Sequence, residues 1–223
     1  MTSAISVSNL YLKKNNLNIL NNINIDIEEH ECVAIAGHNG AGKTTLLKVI
    51  NNLIPVKKGT VKIFNKPFNN KIKKDIGYIP QTNYFETFLP ISVREAISVG
   101  IYAKNGIFKK LSEEDKENII EISKKLKIEN LLNKPIGQLS GGQTQKVSIA
   151  RVIAQNAKIL LMDEPLTNLD KSSQEDILNI IDFLHKEKNL TMIIVTHNLQ
   201  QIPKSCNKII TMNNGEIINC NDR

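Results

Sequence analysis

The hydrophobic pattern of the chain alternates between short apolar segments and longer amphipathic segments. Residues 23–27 alternate apolar and polar side chains, as a strand buried on one face does, and residues 32–37 form an apolar run that ends in glycine. Segments with helical periodicity, such as residues 173–187, separate further strand-like runs. These further runs are 60–64, 76–80, 158–164, 191–197 and 208–212. Strands that alternate with helices predict an α/β fold with a mostly parallel sheet covered on both faces.

One region departs from this alternation. Residues 93–132 have a helical pattern and too few strand-like runs to join the sheet, so we interpret the region as part of an inserted helical subdomain. The chain is therefore predicted to be a single domain over residues 1–223. Its core is expected at about 1–81 and 151–223, and its helical subdomain at about 82–150.

Composition narrows the possible function classes. The chain is 41% hydrophobic and 23% charged, which is typical of a globular protein with a sizeable core. No apolar run approaches the ~18 residues of a membrane span, and the N-terminus lacks a signal-peptide core, so we expect a cytosolic protein. The net charge of +7 is spread over scattered lysines without interleaved aromatic residues, which argues against nucleic-acid binding. The dispersed cysteines and histidines predict reduced thiols and no metal cluster.

A glycine-rich segment carries the first chemical signal. Residues 37–44 match G-x-x-x-x-G-K-[ST] between a predicted strand and a predicted helix, so backbone N–H groups of residues 40–45 would surround phosphates. We expect Lys43 to reach the β- and γ-phosphates and Thr44 to hold Mg²⁺ through its hydroxyl. The motif alone does not separate kinases, GTPases and ATPases. The predicted nucleotide-binding residues are Gly37, Asn39, Gly40, Ala41, Gly42, Lys43, Thr44 and Thr45.

Two carboxylates end the apolar run at 158–164. Ligands of open α/β sheets bind beyond the carboxyl ends of the strands, so this end should face the phosphates. Asp163 is the expected partner of Mg²⁺, and Glu164 is placed to polarise an attacking water. Taken alone, the two residues could equally end the strand and cap the next turn; the phosphate-binding loop favours the catalytic interpretation.

A second anion-binding pattern lies about a hundred residues after the first. Ser140, Gly141 and Gly142 begin a helical segment over residues 138–155 whose apolar positions share one face. A hydroxyl and two glycines at the start of a helix form a suitable place for an anion. One small domain would then carry two candidate phosphate sites.

The complete set of motifs resembles the ABC ATPase family over essentially the whole chain. The set comprises "GHNGAGKTT", Gln81 in "YIPQ", "LSGGQ", "LLMDEP", "NLD" and His197 in "VTH", in the order and spacing of that family. Gln81 and His197 carry little weight by themselves, since such residues are usually turn or structural groups. The resemblance implies an ABC ATPase core with an N-terminal antiparallel β subdomain.

The resemblance also accounts for the second anion site. ABC ATPases work as head-to-tail dimers, so Ser140, Gly141 and Gly142 would contact the γ-phosphate bound by the second copy, with Gln143 supporting the loop. By the same resemblance, Gln81 would touch Mg²⁺ or the attacking water. Asp170 would organise the dimer contact, and His197 would hold the γ-phosphate. ATP and Mg²⁺ are the implied cofactors. Tighter binding of ATP than of ADP would couple hydrolysis to dimer opening.

Three positions depart from the family pattern. The place of the aromatic residue that stacks on adenine falls on Lys14, and Tyr11 comes three residues early, so we expect weaker base recognition. Lys146 stands where the family often has arginine. The compact ammonium of lysine does not form the paired hydrogen bonds of a planar guanidinium, so interface or phosphate contacts would be altered. Asn198 stands where aspartate is common.

The helical insert indicates what the ATPase drives. Residues 88–119, and the segment that begins with the signature sequence LSGGQ at 139–143, are similar to importers of manganese, zinc and iron ions. This resemblance implies a peripheral subunit on the inner face of the cell membrane, working with integral permease subunits and, indirectly, an extracytoplasmic binding protein. An apolar group would receive a permease helix or pack inside the subdomain. This group is Tyr84, Phe85, Phe88 and Leu89.

Two alternatives stay open. The chain could serve a siderophore, haem or cobalamin importer, or an exporter. It could also be a soluble ABC protein, for which an iron–sulfur assembly ATPase has a similar size. Translation and repair ATPases fit poorly, because the chain has one signature and no sustained heptads. The transported species, the direction of transport and the regulation are not determined by the sequence.

Overall fold

The computed structural model describes residues 2–15, 17–81, 90–106 and 109–223. The strands within these ranges are β1 (Ser3–Lys14), β2 (Leu17–Glu28), β3 (Cys32–Ala36), β4 (Lys58–Ile63), β5 (Lys66–Pro67), β6 (Ile76–Ile79), β7 (Ile159–Asp163), β8 (Thr191–Thr196), β9 (Lys208–Asn213) and β10 (Glu216–Asp222). The α-helices are α1 (Lys43–Ile50), α2 (Asn70–Lys74), α3 (Val93–Asn105), α4 (Glu113–Lys125), α5 (Gly141–Gln155) and α6 (Lys171–Lys188).

The strands form two sheets. The larger has the order β10-β9-β3-β8-β7-β6, and its pairs are parallel except for the antiparallel β9–β10 hairpin. The smaller sheet is antiparallel, with the order β2-β1-β4-β5. Parallel strands place their carboxyl ends at one edge, so the segments after β3, β6, β7 and β8 meet there. The predicted fold class is confirmed.

The larger sheet is buried on both faces, because its strands contribute alternate residues to two apolar clusters. Val33 and Ile35 of β3 pack with α1 and with the antiparallel sheet. Cys32 and Ala34 belong to the cluster formed with α3, α4, α5 and α6. This two-sided burial explains why the parallel strands appear in the sequence as nearly continuous apolar runs.

The helices of the inserted region begin at side-chain caps that the sequence encodes locally. The hydroxyls of Ser92, Ser112 and Ser140 each accept a hydrogen bond from the N–H of the third helical residue. The side chain of that third residue in turn accepts a hydrogen bond from the backbone N–H of the serine. The helical region from 93 to 132 is interrupted after α3 at Gly106, whose φ is +102°. Helix α5 runs through residue 150, so the division between core and helical subdomain stays a prediction.

Two of the three cysteines, scattered in the sequence, lie together in the structure. The Sγ atoms of Cys32 and Cys206 are 2.7 Å apart and buried, whereas Cys220 is exposed. The contact with Cys32 and the burial raise the pKa of the Cys206 thiol. Because both side chains are buried away from reagents, Cys32 and Cys206 should be inert in the native protein.

We therefore expect native protein to react with a thiol reagent at Cys220 and to expose the other two thiols only on unfolding. Thiol quantitation by Ellman's reagent, with and without denaturant, measures this difference. In the control Cys220→Ser, native labelling should be lost while the labelling of unfolded protein persists. Rapid labelling of Cys206 in the native state would contradict the expectation.

Candidate nucleotide-binding site

The glycine-rich loop leads from the end of β3 into α1 and needs glycine at particular positions. Gly37 has φ +156°, and a Cβ there would collide with the carbonyl oxygen of Met212. Gly42 has φ +99°, and a Cβ there would lie 2.9 Å from the carbonyl oxygen of Ile19. Any larger residue at either position would displace the neighbouring backbone, so the glycine spacing in the motif has a steric reason.

The β9–β10 hairpin holds this loop from the side. The N–H of Gly215 donates to the carbonyl oxygen of Ala41 (3.1 Å), and a ring nitrogen of His38 hydrogen-bonds the Asn213 side chain (2.7 Å). Neither His38 nor Asn213 was predicted from the sequence as a support of the site. The "NNG" turn after β9 is a hairpin signal, but it does not indicate which loop the hairpin contacts.

The N-terminus of α1 is open to an anion. Its N-cap is Gly42, no side chain caps the helix, and no acidic residue lies in its first turn. The first N–H groups of the helix therefore have no side-chain acceptor among the described residues, and the helix dipole adds positive potential there. Of the loop residues, Asn39 and Gly40 are exposed and Ala41 is buried.

Lys43 lies buried beneath the loop with its charge turned to the backbone. Its Nζ donates to the carbonyl oxygens of Gly37 (2.8 Å) and His38 (2.9 Å). Burial lowers the pKa of Lys43, while the carboxylates of Glu164 and Asp163 act in the opposite direction. The ammonium group is thus held inside the glycine loop, next to two acids.

Asp163 and Thr44 form a pair of oxygen ligands suited to a hard cation. The Thr44 hydroxyl donates to Asp163 Oδ1 at 2.9 Å, which joins the start of α1 to the end of β7. Burial raises the pKa of Asp163, and the hydrogen bond from Thr44 lowers it. A buried carboxylate with an adjacent hydroxyl oxygen fits the oxygen-rich coordination that Mg²⁺ prefers.

Three polar side chains surround one carboxylate oxygen of Glu164. Its Oε2 accepts from Gln81 Nε2 (3.0 Å) and Thr167 Oγ1 (3.1 Å), and it lies 3.1 Å from His197 Nδ1. The backbone of Glu164 is left-handed, with φ +48°, a conformation that costs free energy for a non-glycine residue and that clusters at functional sites. The structure therefore brings together three residues predicted for catalysis and adds Thr167, which the sequence did not indicate.

The signature segment lies elsewhere on the same chain. Ser140 caps α5 by accepting from the N–H of Gln143 (3.3 Å), and Gln143 Oε1 accepts from the N–H of Ser140 (3.1 Å). Asp170 caps α6 in the same way, accepting from the N–H of Ser173 (2.9 Å). Within the described ranges, no hydrogen bond or ion pair joins this segment to the phosphate loop. The second candidate anion site therefore makes no such contact with the first within one subunit.

Two further expectations, adenine stacking and permease docking, stay predictions. The ring of Tyr11 has the Lys58 ammonium 3.9 Å from its centroid, so one of its faces is covered, and Lys14 is the exposed last residue of β1. The apolar group proposed for permease docking lies outside the described residues. This group is Tyr84, Phe85, Phe88 and Leu89. In the part of the chain that the structure describes, no helix has the length and apolar character that crossing a membrane needs.

Comparison with known proteins identifies the family. A model of the ABC transporter family matches residues 20–167. The high-affinity zinc uptake system ATP-binding protein ZnuC of Bacillus subtilis is 37% identical over 199 residues, covering 89% of this chain and 86% of that protein. The manganese transport system ATP-binding protein MntB of Halalkalibacterium halodurans is 32% identical over 213 residues, covering 96% and 84%.

Solved structures agree with this result. An ATP-binding cassette solved as a dimer in a post-hydrolysis state, with ADP and Pi bound, superimposes with a TM-score of 0.83 and 29% identity. The match covers 98% of this chain and 98% of that one. The phosphate loop, the acids at the end of β7 and the capped signature helix thus occur in a chain that matches known cassettes over nearly its whole length. The chain therefore belongs to the ABC transporter family, as an ATP-hydrolysing, ATP-binding subunit.

Proposed function

We propose that this chain powers the uptake of a transition-metal ion, manganese, zinc or iron, through separate permease subunits. The observation that carries the proposal is its similarity, over most of its length, to the ATP-binding proteins of zinc and manganese uptake systems. The match to the manganese protein covers 96% of this chain and so takes in the helical region between β6 and β7.

The phosphate loop would bind the triphosphate of ATP. The start of α1 has no side-chain cap that would compete with a phosphate, and Lys43 would exchange its carbonyl acceptors for the β- and γ-phosphates. Thr44 and Asp163 would hold Mg²⁺, with Gln81 at the edge of the site. The metal would supply positive charge to the transferring phosphoryl group.

Glu164 would polarise the attacking water. The bonds from Gln81 and Thr167 hold its carboxylate in place, and His197 lies on the same oxygen. In this arrangement Gln81 and His197 orient the base before nucleotide arrives and then turn to the γ-phosphate and its water. Orientation of a base in this way lowers the barrier without a further charged group.

The signature segment would complete the site of a second copy. Ser140, Gly141, Gly142 and Gln143 begin α5 away from the chain's own phosphate loop, and Asp170 begins α6 beside them. A head-to-tail homodimer would place this helix start on the γ-phosphate bound by the other copy. Such a dimer would sit at the inner face of the membrane against the permease subunits, which receive the ion from an extracytoplasmic binding protein.

The test is elemental analysis of cells with labelled-ion uptake, comparing wild type with Lys43→Ala. We expect selective loss of manganese, zinc or iron uptake, because the variant loses the cation that holds the phosphates. The exposed Lys71→Ala is the matched control and should leave uptake unchanged.

Other results would direct the assignment elsewhere. Unchanged metal content with failed growth on a siderophore, haem or cobalamin would replace the ion importer with a chelate importer. Co-purification with a soluble scaffold and no multi-span membrane protein would contradict transport altogether.

A further inference from the structure

The first turns of α5 and α6 touch along a single line. A Cβ on Gly141 would lie 3.0 Å from Leu169 Cδ2, and a Cβ on Gly142 would lie 2.6 Å from Ser173 Oγ. One turn further along, Lys146 Nζ lies 3.0 Å from Asp176 Oδ2. The two glycines let the helices approach closely, and the ion pair closes the contact on the side away from the signature.

This line of contacts leads back to the proposed base. Gln174 Nε2 donates to the carbonyl oxygen of Leu169 (2.9 Å), which ties the first turn of α6 to the segment before it. In that segment, Thr167 donates to Glu164 Oε2. A shift of α5 relative to α6 would therefore be transmitted over a few bonded residues to the Glu164 carboxylate.

Asp176 lies in a cavity lined by several lysines, and its carboxylate is paired with Lys146. Lys125 and Lys127, at the end of α4, line the same cavity as Lys146, and Asp176 is the carboxylate among the described residues that line it. The Lys146 side chain is 16% exposed and the Asp176 side chain 58%, so the pair is shielded from solvent on the lysine side only. Without the charge of Lys146, Asp176 would turn to the lysines of α4 and leave the signature helix.

We propose that the Lys146–Asp176 ion pair positions the signature helix on α6 and so couples binding of the second copy's nucleotide to the chain's own Glu164. Lys146 is a positioning residue: its charge is directed to Asp176 of its own chain and not to a phosphate. The inference rests on the proposed head-to-tail dimer. It also gives a reason for lysine in place of the family's arginine, because a single ammonium contact is made here.

The test uses Lys146→Met in a Glu164→Gln background, with ATP-driven dimerisation followed by analytical ultracentrifugation. Loss of a partly exposed ion pair changes an equilibrium constant that depends on it by about two- to fivefold. A symmetric dimer contains the pair twice, so the dissociation constant of the dimer should rise about 4- to 25-fold. Binding of a fluorescent ATP analogue to the single subunit should not change. In the wild-type background, kcat should fall while the KM for ATP stays constant.

Charge exchange separates positioning from a general loss of structure. Lys146→Glu combined with Asp176→Lys should restore dimerisation, and Lys146→Arg should retain it. The control Lys116→Met removes the exposed Lys116–Glu113 pair of α4, 2.6 Å long, and should have no effect on the dimer.

Each remaining outcome overturns a definite claim. If Glu164→Gln alone does not dimerise with ATP, the proposed dimer is wrong and the coupling is wrong with it. If it dimerises and Lys146→Met leaves the dimer unchanged, the inference fails and the proposed function stands. Failure of the charge exchange to restore a weakened dimer would also overturn the inference.

Discussion

Replacing Glu164 with glutamine is expected to abolish ATP turnover and to let ATP hold the protein as a dimer. Loss of a general base lowers the rate by about 10²–10⁴-fold. The amide is nearly isosteric and keeps one oxygen, which can still accept the bonds from Gln81 and Thr167. The site should therefore remain assembled while the chemical step fails.

The loss of the Glu164 charge should also favour the ATP-bound dimer. Removing one negative charge beside Lys43 reduces the repulsion of the triphosphate, so ATP binding should persist or tighten. Light scattering or ultracentrifugation with ATP, set beside phosphate release, measures both effects. The control Glu187→Gln, at the exposed far end of α6, should hydrolyse ATP normally. A Glu164→Gln protein that stays monomeric with ATP would contradict the shared-site proposal.

The second large effect is expected from Ser140→Arg, which should block hydrolysis without disabling the chain's own phosphate loop. The serine oxygen caps α5, and an arginine there would project a long cation where the second copy's γ-phosphate is proposed to lie. Because Ser140 does not contact the chain's own phosphate loop within the described residues, ATP binding to the monomer should survive. Dimerisation and turnover should be lost together, measured by nucleotide fluorescence, ultracentrifugation and phosphate release.

A matched control exists on α4. Ser112 begins that helix with the same reciprocal cap, Ser112 with Asp115, far from the signature sequence. Loss of such a cap costs about 0.5–2 kcal/mol, so Ser112→Arg and Ser140→Arg should lower stability similarly. Only Ser140→Arg should stop hydrolysis. If it hydrolyses ATP at the wild-type rate, the signature of one copy does not complete the site of another.

The sequence predicted the parts of the site that are contiguous. The phosphate loop was evident because its glycines, Lys43 and Thr44 lie within eight residues, and the local backbone dictates their spacing. The caps of α3, α4 and α5 are likewise encoded by residues three apart. Apolar runs identified the buried parallel strands, because burial on both faces removes polar positions. Gln81 and His197 were found only through the joint pattern of motifs.

The tertiary structure decided which distant segments contact each other. His38 meets Asn213, 175 residues away; Cys32 meets Cys206 across 174 residues; and Lys146 meets Asp176 on another helix. The left-handed backbone of Glu164 and its bond from Thr167 were equally hidden. The residues next to a side chain in the sequence do not indicate the strand order or the helix packing that brings its distant partner to it. The sequence by itself therefore determined the family, the parallel fold and the phosphate loop, whose hydrogen bonds are local. Only the packing of the sheets and helices decided which residues support that loop and which hold the signature helix against α6.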